Sequence, residues 1–373
     1  MIPFTIALDE SAIADLRERL ARTRWPDKEP VNDWSQGAPL AYVQELCHSW
    51  AHEYDFGFPE RINAFAQFRT EIDGLGIHFL HVRSPEPNAL PLLITHGWPG
   101  SVVEFLKVIG PLSDPRAHGG DPKDAFHIVA PSLPGFGWSD KPTSTGWTLP
   151  RIARAWDTLM TTLGYDRYGA QGGDWGAHVT NVLAHQSPEH LVGIHVNMPG
   201  VGTPASVVNN PTPSEQRALA DLARHEAVGR GYSQQQSSRP QTLGYGLADS
   251  PSGQLAWIVE KFREWTDSDG HPENVLTRQE MLDNISVYWF TETATSSARI
   301  YWENSTRYTD EVAVPTGITI FPHEIVRPSR RWAETRYTDI LWFEEAEQGG
   351  HFAALEQPES FVDQVRGFFR LVR

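Results

Sequence analysis

The sequence predicts an α/β protein with a mostly parallel central sheet, helices on both faces of that sheet, a helical lid and an N-terminal arm. Three observations support this prediction. Short apolar runs alternate with longer helical stretches, and an Asp-Gly turn precedes these runs. Between residues 200 and 290 the pattern becomes helical and polar. A chain of 373 residues is long enough to bury a core of this size.

Residues 1–75 are expected to form an N-terminal arm that packs on the core. An apolar stripe at helical spacing within residues 9–24, interleaved with charged side chains, predicts an amphipathic helix. A second helical pattern surrounds Leu46. After it, the Asp73-Gly74 pair separates two apolar runs and predicts a β-hairpin, because Asp-Gly supplies the positive φ angles that a tight turn needs.

The core is expected at residues 76–199 and 291–373, where short apolar runs mark the strands. Longer helical stretches separate these runs, and this spacing is typical of parallel strands whose connecting helices cover both faces of a sheet. The runs are residues 92–95, 127–130, 168–170, 192–196, 318–321 and 340–343.

A helical lid is expected at residues 200–290, inserted after one of the strands. Residues 215–226 and 254–265 show helical patterns. Residues 229–242 between them are rich in Gly, Ser and Gln, so we expect a loop there.

Charge and cysteine content argue against several classes of function. Acidic side chains outnumber basic ones 47 to 31, whereas a nucleic-acid surface needs clustered Lys and Arg. Cys47 is the only cysteine, which excludes an internal disulfide and a cysteine-rich metal site and suits the cytoplasm. No stretch reaches the roughly 18 apolar residues of a membrane span. We therefore expect a soluble, cytoplasmic protein that needs no metal and has no nucleic-acid or membrane partner.

The pentapeptide Gly172-Gly-Asp-Trp-Gly176 has the pattern of a nucleophile elbow, in which small flanking residues let a strained turn expose one reactive side chain. Here that side chain is Asp174, and no Gly-x-Ser-x-Gly occurs in the chain. A carboxylate is ionised at neutral pH and can attack a saturated carbon, which leaves an ester for an activated water to hydrolyse. The alternative is that Asp174 only caps the helix that follows it.

His351 is the candidate base for that water. It follows two glycines on the segment beyond the last apolar run, where a fold of this type carries its histidine. Glu324, beyond the preceding apolar run, is the candidate acid that orients His351. Three other glutamates are nearer in sequence but lie on or just after the last strand, so we expect them to be solvated. They are Glu344, Glu345 and Glu347.

The hexapeptide His96-Gly-Trp-Pro-Gly-Ser101 predicts an oxyanion loop, because it directly follows an apolar run. The backbone N–H groups of Trp98 and Trp175 are candidate donors to the carbonyl oxygen of an ester on Asp174. So tight a turn could hold a cis Trp98-Pro99 bond. The alternative is a plain loop of Gly and Pro.

Together with Arg299-Ile-Tyr-Trp-Glu-Asn304 and Gly349-Gly-His-Phe-Ala-Ala-Leu-Glu356, these motifs resemble those of the microsomal and juvenile-hormone branch of the epoxide hydrolases, which have the α/β-hydrolase fold. The resemblance extends over nearly the whole chain, including the N-terminal arm. It implies that Asp174 is the nucleophile, Glu324 the acid and His351 the base that activates water.

The resemblance also implies two lid tyrosines whose hydroxyls polarise the epoxide oxygen. Tyr301 matches one of them. Tyr232 fits the second position best, with Tyr245 as the alternative. A phenol can hydrogen-bond the alkoxide that develops as the ring opens. For each tyrosine, the alternative role is core packing with a satisfied hydroxyl.

The reaction implied by the resemblance converts a small hydrophobic epoxide and water into a vicinal diol and needs no cofactor. Membrane-bound members of the branch carry an N-terminal anchor, whereas this chain begins directly with the arm, so we expect a soluble form. The sequence leaves open which epoxide is the natural substrate and whether copies of the chain form a homo-oligomer.

Two other functions are open as well. A haloalkane dehalogenase also uses an elbow aspartate followed by tryptophan, and the 14 tryptophans of the chain could supply N–H donors to a halide. Tyr301 and the motif at residues 299–304 favour an epoxide, whose oxygen needs an acid. A catalytically silent ligand binder of the same fold would have lost a member of the catalytic triad, and Asp174, Glu324 and His351 are all present.

Overall fold

The structure, a computed structural model, describes residues 1–305 and 308–373. The N-terminal segment comprises strand β1 (Ile2–Phe4) and helices α1 (Glu10–Ala21), α2 (Leu40–His52) and α3 (Phe58–Asn63). The side chain of Asp9 caps α1 by accepting a hydrogen bond from the backbone N–H of Ser11 at 2.8 Å. Leu16 of α1 and Leu46 of α2 are fully buried, so both predicted helices turn an apolar stripe to the core.

Within the described residues, nine strands form one sheet in the order β1-β2-β3-β5-β4-β6-β7-β8-β9. Strands β1, β2, β3 and β5 pair antiparallel in that order, and the remaining pairs are parallel. The predicted hairpin is confirmed, since Asp73 and Gly74 join β2 to β3 with φ angles of 51° and 76°. All six apolar runs form strands. The strands after β1 are β2 (Gln67–Ile72), β3 (Leu75–Val82), β4 (Leu90–Thr95), β5 (Phe126–Pro131), β6 (Tyr168–Gly172), β7 (Leu191–Val196), β8 (Thr316–Ile320) and β9 (Ile340–Glu345).

Helices cover the sheet and extend beyond it. Between β4 and β7 lie α4 (Leu106–Ser113), α5 (Leu149–Thr162) and α6 (Asp174–Gln186). Between β7 and β8 lie α7 (Ala205–Asn209), α8 (Pro213–Arg224), α9 (Gly231–Ser238), α10 (Pro240–Asp249), α11 (Pro251–Trp265), α12 (Arg278–Phe290) and α13 (Ala294–Glu303). The C-terminal helices are α14 (Arg330–Ala333), α15 (Ala353–Glu356) and α16 (Pro358–Phe369). Helix α5 packs against α6, and α4 packs against α16. In the part of the chain that the structure describes, no helix has the length and apolar character needed to cross a bilayer.

The prediction of a loop at residues 229–242 is wrong, because most of this stretch is helical. Helices α9 and α10 meet at Pro240, a residue favoured in the first turn of a helix. Tyr232 and Gln236 lie one turn apart on α9 and are both buried, and Trp257 Nε1 donates a hydrogen bond to Gln236 Oε1 at 3.0 Å. A polar composition concealed this buried face, because the hydrogen bond from Trp257 allows the side-chain oxygen of Gln236 to be buried.

Helix α13 lies in the segment 291–373 that the sequence assigned to the core, and it packs against α9 and α10 of the segment assigned to the lid. The limits proposed above for arm, core and lid stay predictions.

A buried set of hydrogen bonds ties the N-terminal arm to α12. Tyr54 Oη donates to Asp283 Oδ1 at 2.7 Å, and Arg61 Nε donates to Asp283 Oδ2 at 2.7 Å. Trp50 Nε1 donates to Ser286 Oγ at 3.0 Å. The arm therefore fixes the position of α12, which in turn contacts the loop that follows β4.

Candidate active site

The turn between β6 and α6 exposes one carboxylate in a strained backbone conformation. Asp174 has a φ of 48°, in the left-handed region that non-glycine residues avoid at a cost of about 1–3 kcal/mol. A Cβ at Gly176 would overlap the carbonyl oxygen of Thr95 on β4, and a Cβ at Gly172 would overlap the backbone of Gly176. The glycines are needed for this close approach. Gly173 is the N-cap of α6, and Asp174 is the first residue of the helix.

Two backbone N–H groups hold the carboxylate of Asp174. Trp98 N donates to Asp174 Oδ1 at 2.7 Å, and the N–H of Trp175 also donates to this carboxylate. The Trp98–Pro99 peptide is cis, as so tight a turn allows. Gly97 passes so close that a Cβ there would overlap Asp174 Oδ1.

Helix α12 holds this loop in place. Asn284 Nδ2 donates to the carbonyl oxygen of Pro99 at 2.7 Å, and Tyr288 Oη donates to that of Gly100 at 2.8 Å. Ser101 Oγ donates to Asn284 Oδ1 at 2.8 Å. Helix α12 binds the carbonyl groups of Pro99 and Gly100. The backbone N–H of Trp98 in the same loop is therefore free to donate to Asp174.

His351 lies between two carboxylates, and its ring is buried. Its Nδ1 is 2.7 Å from Glu324 Oε1, and its Nε2 is 3.4 Å from Asp174 Oδ2. The backbone N–H of His351 donates to the carbonyl oxygen of Trp265 at 2.8 Å, which fixes the segment beyond β9. The structure thus brings together the three residues that the sequence selected from distant parts of the chain. Glu344, Glu345 and Glu347 are exposed to solvent, as expected.

The pKa values of His351 and Asp174 follow from the geometry of their contacts. Burial acts to lower the pKa of His351, but the charge of Glu324 and the hydrogen bonds with Asp174 and Glu324 outweigh burial and raise it well above its usual range. Burial acts to raise the pKa of Asp174, but the hydrogen bond and charge of His351 and the two backbone N–H groups lower it overall. Asp174 is therefore a carboxylate at neutral pH.

Two tyrosines from the helices above the sheet complete the site. Tyr232 of α9 and Tyr301 of α13 are both buried, with ring centres 5.8 Å apart. Tyr232 stacks on Trp98 at 5.1 Å, and Tyr301 meets the edge of Trp175 at 4.8 Å. Burial is the largest cause that raises the pKa of each hydroxyl, and the charge of Asp174 raises both further. Tyr245, by contrast, is 72% exposed.

One further side chain at this site, that of Glu104, carried no signal in the sequence. Glu104 lines a cavity of about 20 Å³ with Asp174 and His351, a volume that can hold one water molecule. Burial raises the pKa of Glu104 to about 8. Glu104 lies three residues beyond the hexapeptide, and its side chain reaches the cavity because it folds back over Gly100. Within residues 1–305 and 308–373, no cluster of three or more His, Cys, Asp or Glu side chains is arranged to hold a metal.

Comparisons with known proteins agree with this architecture. A family model described as the alpha/beta hydrolase fold matches residues 91–264, so the fold and the elbow define an α/β hydrolase. A second model, described as the epoxide hydrolase N terminus, matches residues 1–105. Epoxide hydrolase 1 of Oryctolagus cuniculus is 33% identical over 407 residues, which cover 99% of this chain and 89% of that protein.

Two solved structures are similar over the whole chain. The epoxide hydrolase of Aspergillus niger has a TM-score of 0.91 and 30% identity, covering 100% of this chain and 96% of that one. Juvenile hormone epoxide hydrolase from the silkworm Bombyx mori has a TM-score of 0.90 and 30% identity, covering 100% of this chain and 95% of that one. The chain belongs to the epoxide hydrolase family. The predicted fold class and enzyme class are thereby confirmed.

Replacing Glu324 with Gln should lower the pKa of His351, because the charge of Glu324 is the largest of the causes that raise it. The substitution should also slow turnover at least about tenfold, since the imidazole loses its orienting partner. NMR titration of labelled histidines measures the pKa. Glu344→Gln, at an exposed carboxylate, is the matched control. An unchanged pKa of His351 in Glu324→Gln would contradict this electrostatic account.

Proposed function

We propose that this enzyme hydrolyses small hydrophobic epoxides to vicinal diols through an ester formed on Asp174. The observation that carries the proposal is the surroundings of this one carboxylate. Two backbone N–H groups bind it on one side, and His351 faces it on another. Its negative charge also raises the pKa of both buried tyrosines.

In the first step, Asp174 Oδ2 attacks an epoxide carbon. Oδ2 is the candidate attacking atom because Oδ1 already accepts the hydrogen bond from Trp98. A bond forms between Oδ2 and carbon, the carbon–oxygen bond of the epoxide breaks, and the leaving oxygen takes a proton from the tyrosine pair. Tyr232 and Tyr301 have this role in the proposal, because a phenol is the acid that a developing alkoxide requires. The exposure of Tyr245 argues against it as the second tyrosine.

In the second step, water attacks the ester carbonyl while His351 takes its proton. Oδ1 becomes the oxyanion, and the N–H groups of Trp98 and Trp175 are already directed at this carboxylate. Esterification removes the negative charge of Asp174, which is one of the causes that raise the pKa of His351. The imidazolium can then return its proton to the tyrosines and act as a base. Hydrolysis releases the diol and restores the carboxylate of Asp174 and the protonated His351.

The aromatic surroundings support a hydrophobic substrate. The rings of Trp98, Trp175, Tyr232, Trp265 and Tyr301 contact one another beside Asp174. A dehalogenase is less well supported, because the relatives reported above are epoxide hydrolases.

We also propose a cytoplasmic location, which the single buried thiol of Cys47 supports because disulfides are rare there. Whether the enzyme forms a homo-oligomer stays an open prediction.

The variant His351→Ala should still open the epoxide and then accumulate the ester, because only the second step needs the base. Intact mass spectrometry should show the protein heavier by the mass of the epoxide, with diol release slowed by about 10²–10⁴-fold. The double variant Asp174→Ala/His351→Ala is the control and should gain no mass. An unmodified His351→Ala protein that nevertheless makes diol would contradict the two-step scheme.

The variant Tyr301→Phe should slow ring opening by about 10²-fold or more and leave ester hydrolysis nearly unchanged, because the epoxide oxygen that this hydroxyl polarises leaves the ring in the first step and is already a hydroxyl in the ester. Rapid-quench measurement of ester formation and decay separates the two rates. Tyr245→Phe is the matched control, since that hydroxyl is exposed. A normal ring-opening rate in Tyr301→Phe would remove this tyrosine from the proposed site.

A further inference from the structure

Lys261 is a buried cation to which the two-step reaction gives no role. It lies on α11, and its side chain is only 5% exposed. Its Nζ is 4.5 Å from the ring centre of Tyr232 and 5.7 Å from that of Trp265. Its described ion-pair partner is Glu260, the preceding residue. A buried ammonium is costly unless its surroundings offset the lost hydration, so this arrangement calls for an explanation.

Both Trp98 and the ammonium of Lys261 lie against the ring of Tyr232. Trp98 stacks on Tyr232 with an interplanar angle of 9° and ring centres 5.1 Å apart, so it covers one face of the phenol ring. The ammonium of Lys261 lies over the same ring, 4.5 Å from its centre. This is the geometry of a cation–π contact, which is strongest where water is excluded.

The other groups around Tyr232 act in both directions. Burial is the largest cause that raises the pKa of Tyr232, and the charges of Asp174 and Glu260 raise it further. The hydrogen bond with Tyr301 and the charge of Arg230 lower it. Overall the pKa is raised, so the site as a whole disfavours negative charge on this hydroxyl.

We propose that Lys261 is a positioning residue that strengthens Tyr232 as the hydrogen-bond donor to the epoxide oxygen. This inference rests on the role proposed above for Tyr232. As the hydroxyl gives its proton towards the leaving oxygen, negative charge spreads into the phenol ring, and the attraction of the ammonium grows with it. The interaction is therefore stronger in the transition state of ring opening than in the resting enzyme.

The variant Lys261→Met, which removes the charge and keeps a long apolar side chain, tests this proposal. Ester formation should slow about tenfold, the size expected for a desolvated cation–π contact, while ester hydrolysis stays unchanged. Lys261→Arg, which retains a cation, should recover most of the lost rate. Rapid-quench kinetics with a saturating aryl epoxide measures both steps, and thermal unfolding checks that each variant is folded.

Two further variants separate this role from simple packing. In a Tyr232→Phe background, Lys261→Met should cause no additional loss, because the phenol through which Lys261 acts is absent. Glu260→Gln, which breaks the same ion pair from the other side, should leave ring opening unchanged or slightly faster. Equal losses with and without the hydroxyl of Tyr232, or a Glu260→Gln variant as slow as Lys261→Met, would overturn the proposal. A wild-type enzyme that forms no ester at all would instead overturn the proposed function.

Discussion

The contact between the amide of Trp98 and the carboxylate of Asp174 is the constraint on which the rest of the site depends. It requires an aspartate in a left-handed turn at the end of β6 and a loop after β4 that approaches within 2.7 Å. Both requirements are met by residues without a Cβ, since one at Gly97 or Gly176 would overlap its neighbour. The strain at Asp174 is offset by the surrounding fold, and it keeps the carboxylate at the sheet edge that faces the lid.

The remainder of the chain preserves this contact. Hydrogen bonds from Tyr54 and Arg61 of the arm fix Asp283, and Asn284 beside it binds the carbonyl group of Pro99. The arm therefore acts on the site through α12, although none of its residues lines the cavity beside Asp174. This connection gives a physical reason why a segment outside the α/β core accompanies that core in one family.

The fold and the grouping of Asp174, Glu324 and His351 could be predicted because each has a local signal. Asp174 lies between glycines, and His351 and Glu324 each follow a strand of clear apolar pattern. Helix α9 could not be predicted in the same way, because it buries a glutamine through a hydrogen bond. The resemblance favoured Tyr232 over Tyr245, and the physical difference between the two is that Tyr232 is buried while Tyr245 is exposed. Lys261 has no signal in the sequence either, because only packing brings its ammonium to the phenol ring of Tyr232.

The most direct test of the account is to incubate the purified enzyme separately with an aryl epoxide, a terminal aliphatic epoxide and a bromoalkane, and to quantify diol and bromide. We expect diol from at least one epoxide, no bromide, and no diol from the variant Asp174→Ala. Bromide without diol would contradict the assignment of the leaving group. Diol that still forms in Asp174→Ala would contradict the role of Asp174 as the nucleophile.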